Sequence, residues 1–436
     1  MITATVGRLF LEAYNEKYAT QYDPRSFFIE KFYPLFFDHH KYMMTAGNAP
    51  LENPKISWDA MLTGKQEWET PDKRKDRYCK TIEKMDSNEA DASIARGFPS
   101  LDDMATTSGQ LSDMNISLGQ EASYLSWFGD ALGVGVLGGF SILFFDKNIL
   151  LDIYEGWQYY RAALEHATLL KGNQINTWNG QWLKHYEDPD FSPESPMSDF
   201  MPYDNNKEIL SVSLLSWTRI LIAILNKYEM IQSMAYIYSI GQTNTTIGFI
   251  PFDISGIRRP LELYNKLFGA GQVRMSETLW GTAIGFSKSC KKGVIGVEAM
   301  KPKGIEEYMR KGTVPKSANS EEQKINYNVY QTWLLAMLNN EGLWDKSQKM
   351  ADLLMAASTD NNKKISTKSS NLVDNALKAI NKKQFINAIT DVIPMVSDVD
   401  SLVGIVKDIN DMPSDNVPYF LTLVRFQYAI INKSVK

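Results

Sequence analysis

A chain of 436 residues with 44% apolar and 12% aromatic side chains can build two or three packed domains, and its charged content of 22% argues against global disorder. The formal net charge of −5 gives no overall attraction to nucleic acid or to an anionic membrane, which leaves only local patches for such contacts. The two cysteines, Cys79 and Cys290, form no CxxC pair, so a thiolate zinc site and a disulfide framework are excluded.

The N-terminal region is predicted to begin with helices. Residues 2–45 carry apolar side chains at one-face helical spacing, and a further helix is expected near 72–85 within the otherwise irregular segment 46–115. The start MITATVGRLFLEAYNEKY lacks the basic region, apolar run and cleavage site of a signal peptide. We therefore expect a cytoplasmic protein.

The run YLSWFGDALGVGVLGGFSILFF, 124–145, is apolar over a length that could cross a bilayer. Asp130, five glycines and an end rich in β-branched and aromatic residues favour a hairpin or a buried sheet edge, so no membrane contact is predicted. Gly133, Gly135 and Gly138 form a G-x-G-x-x-G pattern, but the following FSILFF favours a strand where a dinucleotide site needs a helix. The pattern is interpreted as a glycine-rich strand turn, and no cofactor is predicted.

Four further elements follow from periodicity and turn signals. A strong helix is predicted at 148–170, a buried helix at 207–228, a hairpin at 233–252 and helices throughout from about 318. The fold class that these elements indicate is α+β and mainly helical, with a mixed N-terminal body of short strands and hairpins followed by a C-terminal helical bundle.

The segment 187–206 contains four prolines and no regular period, which marks it as the best domain boundary. The prediction is a mixed helical and β domain at 1–190, a segment of helix, hairpin and basic residues at 207–317, and a helical bundle at 318–436.

The four histidines offer no metal-binding spacing, and no metal site is predicted. The DHHK run at 38–41 would place a carboxylate beside His39 and His40, and capping of a helix C-terminus is the favoured interpretation. His166 is expected to be a core histidine on an apolar helix.

Catalytic motifs are sparse. The chain has neither a G-x-x-x-x-G-K-[ST] phosphate loop nor a G-x-S-x-G nucleophile elbow. The run GVEAMKPKG offers Glu298 and Lys301 for a metal-dependent nuclease, although no matching upstream Asp is evident. We predict that the protein is not an enzyme and keep the nuclease as an alternative.

Basic residues concentrate in 257–316, which has twelve basic and five acidic side chains. Lysine and arginine displace counterions from a phosphate backbone, so this segment predicts nucleic-acid contact. A solvated charged face is the other interpretation. The predicted phosphate contacts are Arg258, Arg259, Lys288, Lys291, Lys292, Lys301 and Lys303.

The stretch KGNQINTWNGQW, 171–182, crowds amides and tryptophans together. Amides can read base edges and aromatic rings can stack on or wedge between bases, which predicts base reading in duplex DNA. In the alternative, the amides bond backbone groups in a structural turn and the tryptophans pack in the core. The base-reading set is Asn173, Gln174, Asn176, Trp178, Asn179 and Gln181.

The order of features supports a family comparison. The hairpin AYIYSIGQTNTTIGFIPF, the basic segment and a helical bundle ending NVPYFLTLVRFQYAI together resemble the layout of the large subunit of type I CRISPR surveillance complexes. Some members of that family carry paired CxxC motifs, which this chain lacks.

The resemblance implies a non-catalytic subunit of an RNA-guided antiviral complex that reads a short motif beside the target and helps to open the duplex. Guide RNA, other subunits of the complex, the double-stranded DNA target and a helicase-nuclease are the partners it implies. A metal-dependent nuclease of another defence system and a helical scaffold without nucleic acid remain the alternatives.

Overall fold

The computed structural model describes residues 1–45, 51, 57–87, 94–97, 119–204, 209–228, 234–239, 245–282, 285–316, 318–359 and 367–435. The chain divides into two compact units, Met1–Phe252 (unit 1) and Asp253–Lys436 (unit 2). The predicted fold class is confirmed, since helices dominate and the strands are few, short and antiparallel.

Unit 1 begins with a set of helices around an aromatic core. They are α1 (Ile2–Tyr18), α2 (Pro24–Phe27), a π-helical turn (Phe28–Phe32), α3 (Tyr33–Phe36), α4 (Trp58–Leu62), α5 (Pro71–Asp86) and α6 (Gln120–Ala131). Helices α1 and α6 approach backbone to backbone, because a Cβ atom on Gly7 would collide with the Leu125 carbonyl and one on Gly129 with the Thr3 carbonyl.

The second half of unit 1 alternates strands and helices. Its elements are β1 (Val134–Val136), β2 (Phe140–Phe144), α7 (Lys147–His166), α8 (Ile175–Tyr186), β3 (Tyr203–Asp204), β4 (Ser211–Val212), α9 (Trp217–Lys227), β5 (Met234–Ser239) and β6 (Thr245–Pro251). One antiparallel sheet has the order β1-β2-β5-β6, and a smaller one pairs β3 with β4. The two predicted hairpins are β1–β2 and β5–β6.

The G-x-G-x-x-G pattern lies in the first hairpin, as predicted. Gly138 and Gly139 have φ angles of 99° and 76° in the turn between β1 and β2, a conformation that favours glycine. The β2 strand follows at once, so this region lacks the helix that a dinucleotide site requires.

The unit boundary differs from the three predicted segments. The proline-rich segment 187–206 lies inside unit 1, because strand β5 pairs with β2 and thereby draws the chain as far as Phe252 into the same unit. The predicted helix at 207–228 is shortened to α9, since Ser211 and Val212 pair with β3 and Leu215 bridges to Val136. Local periodicity could not reveal these long-range pairings.

Unit 2 is helical throughout the part that the structure describes. Its helices are α10 (Ile254–Phe268), α11 (Val273–Ser276), α12 (Gly285–Lys291), α13 (Ile305–Lys311), α14 (Glu321–Leu338), α15 (Leu343–Ser358), α16 (Thr367–Lys378), α17 (Lys382–Val392), α18 (Val399–Asp411) and α19 (Val417–Val435), with short 3-10 turns between some of them. Helix α19 packs against α14 and α15. Its buried Arg425 donates to the carbonyls of Leu377, Tyr308 and Ala379, which ties α19 to α13 and to the end of α16.

Among the residues that the structure describes, no helix has both the length and the apolar character needed to span a bilayer. The apolar run at 124–145 is divided between the end of α6 and the β1–β2 hairpin.

Candidate functional site

The amide and tryptophan stretch forms helix α8 and the turn before it. The indoles of Trp178 and Trp182 are fully buried, and they donate to the carbonyls of Gly156 at 2.9 Å and of Asp152 at 2.8 Å on α7. These two carbonyls are one helical turn apart, as are the two tryptophans. The spacing of the tryptophans therefore serves the packing of α8 on α7.

The asparagines of α8 bond the end of α6. Asn176 Nδ2 donates to the carbonyls of Asp130 at 3.0 Å and Gly133 at 2.9 Å, and Asn179 Nδ2 donates to those of Ala131 at 2.7 Å and Gly133 at 2.9 Å. The last carbonyls of a helix lack partners within the helix. The two amides supply partners for them.

The flanking residues are also engaged inside unit 1. Gln174 Oε1 accepts from the Val212 amide at 3.1 Å, and Gln181 Nε2 donates to the Ser213 carbonyl at 2.7 Å. Asn173 takes a left-handed conformation with φ 67°, and its backbone amide donates to the Tyr42 carbonyl at 2.7 Å.

This geometry corrects the base-reading interpretation of 171–182. The side chains of Gln174, Asn176, Trp178, Asn179 and Gln181 bond α6, α7 and residues 212–213 within the fold. Asn173 bonds Tyr42 through its backbone, and Trp178 and Asn179 are fully buried, so the set is used for packing rather than presented to DNA. The packing interpretation fits, although most of the stretch is a helix and not a turn.

The histidines divide between two outcomes. His39 Nε2 lies 3.0 Å from the Pro34 carbonyl in α3, which confirms the predicted capping of a helix C-terminus. His166, predicted to be a core residue, is exposed. The buried face of α7 runs through Trp157, Tyr160 and Leu164, and helical rotation places residue 166 on the other side.

A cavity of about 320 Å³ lies beside the C-terminus of α7. Its polar and aromatic lining consists of His39, His40, Lys41, Trp68, Arg161, Glu165 and Thr168. Lys41 is buried and its Nζ donates to the carbonyls of Leu164, Ala167 and Thr168 at 3.0, 2.8 and 2.9 Å. The ammonium thus caps the last turn of α7, where the helix dipole favours a cation.

Arg161 is the second buried cation of this cavity. Its Nη1 donates to the Lys41 carbonyl at 2.9 Å, and its Nε lies 3.3 Å from Glu165 Oε1. Burial lowers the pKa values of Lys41, Arg161, His39 and His40. The nearby positive charge of Lys41 or Arg161 adds to this effect on the two histidines.

A pair of buried carboxylates joins α7, α8 and α9. Lys227 Nζ, at the end of α9, donates to Asp152 at 3.0 Å and to Glu187 at 3.4 Å, and the Tyr228 hydroxyl donates to Asp152 at 2.5 Å. Burial and the adjacent carboxylate of Asp152 raise the pKa of Glu187 to about 8. Asp152 lies in an apolar-faced helix, and Glu187 lies directly after another. An acidic residue at such a position was the signal in the sequence that could have indicated this buried pair.

The predicted phosphate contacts of unit 2 separate into three groups. Lys288, Lys291 and Lys303 are exposed, and Lys292 is exposed but bonds Glu298 at 2.9 Å. The Lys301 side chain is 18% exposed and lies 3.5 Å from Glu306. Arg258 and Arg259 are half-buried on α10, which makes them the weakest candidates of the set.

The nuclease alternative finds no support from clustered acids. Glu298 bonds Lys292, and the described residues contain no group of three His, Cys, Asp or Glu side chains able to hold a metal ion. The general requirement for such a nuclease is several carboxylates around one metal.

Three features are therefore candidates for function: the exposed lysines of 285–303, the cavity at the end of α7, and the Asp152–Glu187 pair. No protein-family model, curated protein or solved structure matches this chain.

Proposed function

We propose that this protein is a non-catalytic nucleic-acid-binding subunit that holds the phosphate backbone of duplex DNA through the exposed lysines of unit 2. Its place would be an RNA-guided antiviral complex in the cytoplasm, together with guide RNA, other subunits and a helicase-nuclease. The proposed function rests on the exposure of Lys288, Lys291 and Lys303 within a positively charged unit.

Charge is segregated along the chain at the boundary between the units. Unit 2 has 25 basic and 19 acidic residues, a net charge of +6, whereas unit 1 has 21 basic and 32 acidic residues, a net charge of −11. A local positive field attracts a polyanion even when the whole chain is acidic. The negative net charge of the chain is therefore compatible with nucleic-acid binding by unit 2.

Backbone contacts bring the lysine-bearing segments together. The Gly281 amide donates to the Met300 carbonyl at 3.0 Å, and the Lys303 amide donates to Thr282 Oγ1 at 3.0 Å. Lys288 and Lys291 are three residues apart on α12 and so share one face of that helix. These contacts support a common phosphate-binding surface for the three lysines.

The proposed phosphate contacts are tested by the salt dependence of binding to a duplex of about 20 base pairs, measured by fluorescence anisotropy. Replacing Lys288 and Lys291 together by Gln should weaken binding to all sequences. It should also reduce the slope of log K against log salt by about 2, since each phosphate contact contributes about 0.9.

The matched control is Lys346→Gln with Lys349→Gln. These lysines have the same spacing and lie in the same unit, but they pair with Asp408 at 2.6 Å and Asp398 at 2.8 Å. If both double variants lose affinity and salt slope equally, the effect comes from net charge alone, and the proposed phosphate-binding surface is wrong. Absence of salt-sensitive binding would favour the scaffold alternative.

The proposed place in an RNA-guided complex is tested separately. The tagged protein is purified from its native host at low salt and the co-purifying RNA is sequenced. Short RNAs of uniform length that share one repeat are expected. If the purified protein carries no RNA but still binds duplex DNA, the phosphate-binding surface is supported and the RNA-guided role is contradicted.

A further inference from the structure

We propose that the cavity at the end of α7 in unit 1 is a binding site for a small organic anion, whose carboxylate or phosphate bonds Arg161 and whose flat apolar body packs against Trp68. This site goes beyond the proposed nucleic-acid contact, which lies in unit 2.

The cavity has an excess of positive charge. Lys41 and Arg161 are both buried, and Glu165 is the single carboxylate among the described residues that line the cavity. Lys41 forms no ion pair within the described part of the chain, because its three donors go to neutral carbonyls. Buried charges are stabilised by a partner of opposite charge, so the site favours an added anion.

Arg161 has unused hydrogen-bonding capacity at this cavity. Its side chain is 8% exposed, and its Nε has no hydrogen-bond partner among the described residues although Glu165 lies within 3.3 Å. A guanidinium presents five donors in a planar fork that matches a carboxylate or a phosphate. The Glu165 side chain is 52% exposed, and its carboxylate is not aligned for a hydrogen bond with Arg161 Nε. A ligand that enters the cavity can therefore replace Glu165 as the partner of Arg161.

The walls suit a ligand with a flat apolar part. The Trp68 ring is half-buried and its centroid lies 4.8 Å from that of the His40 ring, while Leu62 and Leu164 supply the aliphatic part of the lining. A volume of about 320 Å³ is at the lower end of small-molecule sites. An aromatic carboxylate or an aromatic phosphate ester is of a size and shape that fits this space.

Anion binding should be coupled to proton uptake at the histidines. The charged groups around them are Asp38 and Lys41 on their own segment, Arg74 on α5, and Arg161 and Glu165 on α7. Burial and, after it, the neighbouring cations lower the pKa values of both histidines, and a bound anion opposes the effect of the cations and raises these pKa values. Affinity should therefore increase as the pH falls.

The test is isothermal titration calorimetry of the full chain with benzoate, phenyl phosphate and benzyl alcohol. A saturable heat is expected with benzoate or phenyl phosphate, and the preferred anion distinguishes the two chemistries. Benzyl alcohol, which has the ring without the charge, should give none. Repeating the titration in buffers of different ionisation enthalpy should show proton uptake on binding.

Two variants at the rim make the test independent of folding. Glu165→Gln removes the competing carboxylate and should tighten anion binding at least threefold, whereas Trp68→Ala should weaken it about tenfold. Glu12→Gln on the exposed side of α1 has the same charge change as the first variant and should leave the affinity unchanged. No saturable heat with either anion, in the wild-type protein and in Glu165→Gln, would overturn the proposal, as would equal binding of benzyl alcohol.

Discussion

Single polar residues in unit 1 act as partners for helix ends. Lys41 bonds three carbonyls at the end of α7. Asn176 and Asn179 together bond three carbonyls at and just beyond the end of α6. A helix end that is buried without water needs such donors, because an unpaired carbonyl in the interior is costly. These side chains explain how short connections between helices can be buried in this fold.

The role of Asn179 predicts a stability effect. Asn179→Ala removes two hydrogen bonds to the buried carbonyls of Ala131 and Gly133, and we expect the free energy of unfolding to fall by about 1–3 kcal/mol. Urea unfolding measures it. Asn410→Ala, at an exposed position of α18, is the control and should change stability by less than about 0.5 kcal/mol. Sequence-dependent loss of DNA binding by folded Asn179→Ala would restore the base-reading role.

The carboxyl of Glu187 predicts a pH dependence of stability. Its pKa is raised from 4.5 to about 8 in the folded protein, so the folded state keeps a proton that the unfolded state releases between these values. The free energy of unfolding should therefore fall as the pH rises from about 5 to 8. Thermal unfolding across this range checks the expected direction.

The isosteric variant Glu187→Gln keeps the side-chain shape and removes the titration. It should flatten the decline in melting temperature and raise that temperature at pH 8, since no charge is then buried beside Asp152. Glu194→Gln, at an exposed position, should retain the wild-type profile. Parallel profiles for the wild-type protein and Glu187→Gln would contradict the assignment of this titration to Glu187.

At the scale of secondary-structure elements, the helices of unit 1 are positioned by close backbone approach and by paired tryptophans. Gly7 and Gly129 let α1 and α6 meet without side chains between them, and Gly156 leaves room on α7 for the ring of Trp182. The Tyr160 and Tyr159 rings stack at 4.8 Å on Trp178 and Trp182, respectively. Small residues on one helix therefore accept large ones on the next, which fixes their alignment.

The contact of α1 with α6 predicts that Gly7→Ala is destabilising. The new methyl group would meet the Leu125 carbonyl of α6, and separation of the helices should cost about 1–3 kcal/mol despite the better helix propensity of Ala. The midpoint of thermal unfolding measures this change. Gly404→Ala in α18, where a Cβ has open space, should be neutral or stabilising by up to about 1 kcal/mol. Destabilisation of both variants alike would indicate a general effect of the substitution and not a helix contact.

At the scale of the whole molecule, an acidic unit and a basic unit follow one another in the chain. The strand pairing of β2 with β5 places the boundary after residue 252, and this position separates a net charge of −11 from one of +6. Under the proposed function, this division places the contact with a polyanion on unit 2.

The charge division predicts where bound DNA lies. Ultraviolet cross-linking of a duplex to the full chain, followed by mass spectrometry, should yield cross-links within 257–316 and none within 171–182. The physical reason is that the exposed lysines of 285–303 face solvent, whereas the tryptophans of α8 are fully buried. Cross-links at Trp178 or Trp182 would show that α8 leaves its observed position to reach DNA.

Local patterns in the sequence determined most element types. Apolar periodicity predicted α1, α7 and the C-terminal helices, and the glycines at 138 and 139 with the following FSILFF predicted the first hairpin. The end of α3 at the DHHK run was likewise predictable, because a histidine near a helix C-terminus bonds its last carbonyls. Such features depend on neighbours within a few residues, so the sequence contains them directly.

Only the tertiary structure decided where polar side chains point and which distant residues meet. Lys41 and Arg161 are 120 residues apart, and Asp152 lies on α7 whereas Glu187 follows directly after α8, so their cavity and carboxylate pair exist only after packing. The amides of α8 have the same chemistry for a base edge as for a helix carbonyl, and packing selected the carbonyl. Composition and periodicity by themselves set the residues available for function, and burial sets which of them face solvent.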